Sequence, residues 1–180
     1  AASLTVTGRT SNVTYNAGVQ TNTYTTSGLL GSDAVTGVSG LASGTNYSAT
    51  PYVDNLSAAT GSGLSNYTIS YVNGSLAIGK ATVSLSGISK TYDSTTGKGN
   101  TSMTITGVGS ETLSFSAATY SDANVATSGK YLTSLTLADN GSYLATNYQL
   151  PTLNLANAAA TINAASLTVT GRTSNVTYNA

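Results

Sequence analysis

Apolar and polar residues alternate in short runs along this chain, the period-two pattern of half-buried β-strands. Leu4 and Val6 share one face of residues 3–7. Tyr67, Ile69 and Tyr71 share one face of a second run, and Leu76 and Ile78 share one face of a third. Asn73-Gly74 lies between those two runs and predicts a type I′ hairpin, because both residues tolerate positive φ. The first half also offers strands at 12–15 and 20–26 and a turn over 28–33. Residues 47–53 read as extended, and Pro51 demotes them to an edge strand or a strand end. The second half repeats the plan, with strands at 81–85, 102–106, 112–117, 131–137, 148–150 and 153–162. Leu113 and Phe115 alternate, as do Leu132, Leu135 and Leu137 with one slip that reads as a bulge. Short strands punctuated by Gly, Asn and Ser predict an all-β chain of sandwich type.

Repetition organises these strands. Residues 1–17, AASLTVTGRTSNVTYNA, recur unchanged at 164–180, a period of 163. Identity of that length implies a piece of an array of near-identical repeats. A weaker repeat lies inside the period. Val6-Thr7-Gly8 precedes Thr14-Tyr15-Asn16, as Leu85-Ser86-Gly87 precedes Thr91-Tyr92-Asp93. Ser65-Asn66-Tyr67 in the first half answers Thr146-Asn147-Tyr148 in the second. The expected division is 1–80, 81–163, and the start of the next repeat at 164–180.

The run NYTISYVNGSLAIGKA at 66–81 resembles the closing signature of the MBG-type bacterial immunoglobulin-like module. In the second half, residues 90–96, 118–125 and 147–148 resemble the YDG-type repeat, with Ser94 standing where that repeat has its name-giving Gly. Ser resists positive φ, so the local turn geometry is open at that point. The two resemblances imply tandem immunoglobulin-like β-sandwich modules in a rod. They imply stalk modules of large, often two-partner-secreted, bacterial surface adhesins, located outside the cell and without enzymatic activity.

Composition narrows the function classes. Charged residues make up 7% of the 180, with zero formal net charge, so no basic excess points to nucleic acid. His and Cys are absent, which excludes disulfides, cysteine nucleophiles, His-based triads and most zinc sites. No apolar run approaches the roughly 20 residues of a membrane span. Ser and Thr number 26 and 32, yet 39% of residues are hydrophobic and alternate, which argues against disorder.

The candidate sites all carry structural readings. Asp33, Asp54, Asp93, Asp122 and Asp139 sit at predicted turns, and the joints Gly79-Lys80-Ala81 and Asn163-Ala164 hold no acid. Calcium needs six to eight oxygen ligands, so turn formation is the better reading for these aspartates. Lys80, Lys90, Lys98 and Lys130 suggest isopeptide chemistry in principle, but Glu111 is the sole glutamate, and solvated lysines are expected. Sequons stand at Asn12, Asn46, Asn55, Asn66, Asn73, Asn100, Asn140 and Asn175, only a slight excess over chance. Tyr67 and Tyr148 each open the penultimate strand of a half, where sandwiches place a tyrosine hydroxyl that bonds back to main chain. No catalytic, cofactor or metal site is expected.

The expected function is a stalk or filament region that extends a binding tip. The alternative is a module that itself binds glycan or protein. The expected partners are neighbouring identical repeats and, laterally, other filaments held through low-charge faces interleaved with Tyr. A parallel β-helix would need a period of about 20 residues, unlike the one found here.

Overall fold

The structure, a computed structural model, describes residues 1–179. The first half forms β1 (Ala2–Gly8), β2 (Thr10–Thr14), β3 (Gln20–Thr21), β4 (Tyr24–Ser27), β5 (Ala34–Ser39), β6 (Ser43–Gly44), β7 (Tyr52–Val53), β8 (Ser57–Ser62), β9 (Tyr67–Val72) and β10 (Ser75–Gly79). The second forms β11 (Ala81–Thr82), β12 (Ser84–Thr91), β13 (Ser102–Thr106), β14 (Thr112–Tyr120), β15 (Leu132–Ala138), β16 (Tyr148–Gln149) and β17 (Ala160–Asn163). Two single-turn 3-10 segments, Leu64–Asn66 and Ala145–Asn147, complete the elements. The chain is therefore all-β, and none of its helices among the described residues is long and apolar enough to cross a membrane.

Asn73-Gly74 is not a hairpin. β9 pairs with β1 over six positions and β10 pairs with β2 over five, both in parallel, and β9 and β10 lie in different sheets. Neither Asn73 nor Gly74 adopts positive φ. The long parallel registers outcompete a local turn, which would leave β1 and β2 without these partners. At this point the chain steps from one sheet to the other. Gly74 is needed there for space, since a Cβ would collide with the Gly8–Arg9 backbone, where the β1–β2 path makes the same step.

The second half repeats this topology. β11 pairs with β16 and β12 with β17, again in parallel. Ala2 faces Tyr67 in one half and Ala81 faces Tyr148 in the other, and each tyrosine follows a 3-10 turn. The rest of the second half is a five-stranded sheet in the order β15-β14-β13-β12-β17. The slip among Leu132, Leu135 and Leu137 is a register shift, with Tyr120 facing Leu132 and Thr119 facing Ser134.

Some predicted strands differ. Residues 20–26 break into β3 and β4 at Asn22, whose amide turns inward to the Arg9 carbonyl and Asp54. Only Tyr52–Val53 of 47–53 is a strand, after Pro51. Of 153–162 only Ala160–Asn163 is extended, because the Asn154 side chain caps a turn by accepting from Ala156 and Asn157. The antiparallel pair of β5 and β8, which β6 and β7 separate along the chain, carries no sequence signal, since AVTGVS and SAATGS lack alternation.

Leu4 and Val6 are fully buried in the first half. A second buried cluster starts with Tyr15, Ala42, Leu76 and Ile78, passes through Ala81 and Val83, and continues into the second half to Leu132 and Ile162. The core is thus continuous across the boundary near residue 80. Residues 164–179 carry no strand, and Leu167, Val169, Val176 and Tyr178 are exposed.

Candidate functional site

The boundary between the halves is where the chemistry of this chain concentrates. Only Lys80 separates the end of β10 from the start of β11. Both strands bury alternate residues against the shared core, so the join leaves no free linker.

Each half carries the same corner. In the first, a turn over Leu30, Gly31, Ser32 and Asp33 closes with Asp33 N–H donating to Leu30 O at 3.1 Å. The Tyr67 hydroxyl accepts from Leu30 N–H at 2.8 Å and donates to Asp33 Oδ2 at 2.9 Å. In the second, Glu111 N–H donates to Val108 O at 3.1 Å. The Tyr148 hydroxyl accepts from Val108 N–H at 3.0 Å and donates to Glu111 Oε2 at 2.5 Å. Gly31 and Gly109 hold φ of 59° and 61°, the left-handed geometry that favours glycine. The tyrosine hydroxyls bond to main chain as their positions suggest, and each also finds a carboxylate. The Gly-Ser-acid triplet at 31–33 and 109–111 is the sequence signal that finds these corners.

At the boundary the second corner gains a partner from the first half. The Tyr15 hydroxyl donates to Glu111 Oε1 at 2.9 Å, and its ring meets Tyr148 edge-on with centroids 5.4 Å apart. Asn147, fully buried, accepts from Tyr47 N–H at 2.9 Å and donates to Asn46 Oδ1 at 2.9 Å. Lys80 Nζ lies 4.8 Å from the Tyr47 ring centroid. The expectation that this joint holds no acid is corrected: Glu111 reaches it from the turn between β13 and β14, a placement that residue spacing along the chain does not reveal.

Burial raises the pKa of both phenols, and the Glu111 carboxylate raises them further. The hydroxyls therefore stay protonated and act as donors through the neutral range. A carboxylate taking two phenolic donors ties three segments from two halves, the end of β2, the β13–β14 turn and β16, into one contact.

The remaining candidates are scattered. Asp54 is buried and accepts from Ala42 N–H at 2.7 Å, Gly74 N–H at 2.9 Å and the Asn22 amide at 3.0 Å, so it pins the crossover of the first half. Asp93, Asp122 and Asp139 accept backbone N–H groups of Thr95, Asn124 and Ala145 in turns. No three acidic side chains converge among the described residues. Lys90 and Lys130 are buried, which corrects the expectation of solvated lysines. Lys90 Nζ donates to Asp93 Oδ1 at 2.7 Å and to the carbonyls of Thr95 and Gly97 at 2.8 and 2.9 Å. Lys130 donates to the Val125 and Thr127 carbonyls. Turn carbonyls that point away from backbone donors need other donors, and a lysine supplies three at once. Ser94 takes φ of 64°, so the turn keeps the left-handed geometry despite the missing Gly. All eight sequon asparagines are exposed, and Asn46, Asn73, Asn100 and Asn140 already use their amides in hydrogen bonds. Ten of the twelve tyrosines are buried or half-buried; Tyr92 and Tyr178 are exposed.

No family model matches the chain, and no curated protein or solved structure matches it.

Proposed function

We propose that this chain is a structural spacer from the repeat region of a bacterial extracellular adhesin or matrix protein. In this reading residues 1–80 and 81–163 are immunoglobulin-like β-sandwich modules and 164–180 opens the next. The stalk holds a binding tip away from the cell. The observation that carries the reading is the boundary: a core that runs through it, and Glu111 bridging Tyr15 and Tyr148 across it. Domains joined by flexible linkers move by default, whereas a packed apolar joint resists bending. Small-angle scattering of the 180-residue chain should give an elongated particle with one interdomain angle. A compact or freely bending particle overturns the stalk. Specific glycan or protein binding by a single repeat would support the adhesive module in its place.

Lateral cohesion between neighbouring stalks belongs to the same proposal. Six basic and six acidic residues serve the whole chain, and Lys90, Lys130 and Asp54 are buried, so few charges face solvent to repel a neighbour. Ten of the twelve tyrosines expected on that surface are instead buried or half-buried, and the hydroxyls of Tyr15, Tyr24, Tyr52, Tyr67, Tyr71, Tyr120 and Tyr148 find hydrogen-bond partners. Cohesion then rests on hydroxyl and amide groups, each contact weak and the sum multiplied by repeat number. Long arrays should bundle steeply with repeat number and show little salt dependence. Monomeric long arrays at high concentration leave the passive spacer alone.

A further inference from the structure

The two ends of this chain carry the two halves of the contact at its centre. At the central seam, Tyr15 N–H donates to Gly79 O at 2.8 Å, which sets the tyrosine beside the exit of the first half. In the second half, Tyr92 N–H donates to Asn163 O at 2.8 Å in the corresponding place. Gly79 stands two residues before Ala81, which faces Tyr148. Asn163 stands two residues before Ala165, the counterpart of Ala2, which faces Tyr67. The spacing from tyrosine anchor to the next first strand is therefore the same at both exits.

Burial differs as an uncovered seam requires. Tyr15 is 6% exposed and Tyr92 is 39% exposed. At the other end, Leu30 is 62% exposed, while its counterpart Val108 packs on the core at the central seam. Asn147 is buried against the Asn46–Tyr47 loop, and its counterpart Asn66 is exposed. Glu111 receives two phenols, and Asp33 receives the Tyr67 phenol only. Beside Tyr92, Asn124, Val125 and Ala126 line an open cleft of about 550 Å³ whose other wall is Ala164–Leu167, the start of the recurring segment.

We infer that the exit face of the second half is a docking face for the first half of a following copy of this same sequence. Tyr92 donates its hydroxyl hydrogen to the Asp33 carboxylate of that copy and lies edge-on against its Tyr67. Leu30 of that copy covers the apolar face around Val125. The occupant is argued from continuity with the central seam and from the identity of 164–180 with 1–17. The inference rests on reading the chain as one period of a tandem array. It adds that both seams of the period use one device, with Glu111 at one and Asp33 at the next.

The test is a two-copy chain, residues 1–163 followed by 1–180, compared with the single 180-residue chain. Tyrosine nitration is followed by peptide mapping, with Thr96→Ser in the second copy as a mass label for the peptide that holds Tyr92. Tyr92 of the first copy should nitrate several-fold more slowly than Tyr92 of the second copy, which should match the single chain. Asp33→Ala in the second copy should abolish most of that difference, and Asp33→Ala in the first copy should not. Equal nitration of both Tyr92 residues overturns the docking face. Protection that survives Asp33→Ala in the second copy overturns the Tyr92–Asp33 pairing. Scattering from the same two-copy chain tests the stalk separately: an elongated particle with unprotected Tyr92 sinks the seam alone, and a compact one with protected Tyr92 sinks the stalk alone.

Discussion

The Tyr15 ring meets the Tyr148 ring edge-on, at 5.4 Å between centroids and 78° between planes, and both hydroxyls end on Glu111. Tyr15 belongs to the first half and Tyr148 to the second, so a single carboxylate joins them. Hydrogen bonds to a charged group contribute about 1.5–3 kcal/mol each. Glu111→Ala removes two of them, and because both are only part-buried and water can replace some of the loss, it should cost about 2–4 kcal/mol in denaturant unfolding. It should also split a shared thermal transition into two, because it loosens the seam. Asp33→Ala removes a single, likewise part-buried bond at the equivalent corner and with the same discount should cost about 1–2 kcal/mol. Equal costs for the two variants would show that Tyr15 adds nothing through Glu111.

Alkaline pH should act on the same groups. Tyr15, Tyr67, Tyr120 and Tyr148 all have their phenol pKa raised from the ordinary value of 10.0, chiefly by burial. Their folded values lie above their unfolded ones, so their contribution is fully present below pH 10 and is lost as pH rises through the folded values. Stability measured by urea midpoint should therefore be flat across neutral pH and fall from about pH 10 upward. Tyr148→Phe should be less stable than the parent at pH 7 and should show a shallower alkaline decline. Identical alkaline slopes would exclude Tyr148 from the linkage.

Alternation made most of the strands legible, because each half buries one face and the period-two rule reports that face directly. Residues 67–72 and 75–79 were both recognisable as strands, yet their mutual pairing was misread. Asn73-Gly74 is a strong local hairpin signal, and the competing partners in β1 and β2 lie 65 residues away in sequence. Topology of that kind is a long-range property, so no local pattern carries it. Glu111 was invisible for the same reason, since a turn between two strands gives no hint of which joint it reaches. The buried Lys90 escaped because its partners are mainly backbone carbonyls, which side-chain patterning does not display.

Lys90 should be the costliest lysine to replace. Its ammonium holds the loop from Asp93 to Gly97 closed with three hydrogen bonds and lies 5.3 Å from the Tyr120 ring centroid. Lys90→Met keeps much of the packing volume but strands two carbonyls and Asp93. Removing one partner of a buried ion pair costs about 3–5 kcal/mol, and the partial exposure of Asp93 places this case at about 3 kcal/mol. Lys98→Met, at a half-buried site with one carbonyl partner, should cost under about 1 kcal/mol. A Lys90→Met variant as stable as Lys98→Met would show that the loop carbonyls rehydrate freely.

The two copies of AASLTVTGRTSNVTYNA provide a controlled comparison within one molecule. In the first copy Leu4 and Val6 are fully buried, and Tyr15 is nearly so. In the second, the same residues appear as Leu167, Val169 and Tyr178, all exposed and outside any strand. Sequence and local propensity are identical, so the difference comes from partners. β1 lies between β4 and β9, and β2 pairs with β10. Burying a Leu or Val side chain contributes about 1.5–3 kcal/mol, which ordering a lone strand cannot recover in water. Amides of residues 4–7 should therefore exchange slowly in the 180-residue chain, and those of 167–170 at close to unprotected rates. Completing the second copy should bring 167–170 to the protection of 4–7 without altering a residue inside the segment. Equal protection of both copies in a monomeric 180-residue chain would show that the segment orders by itself, and the partner-dependence of β1 would fall.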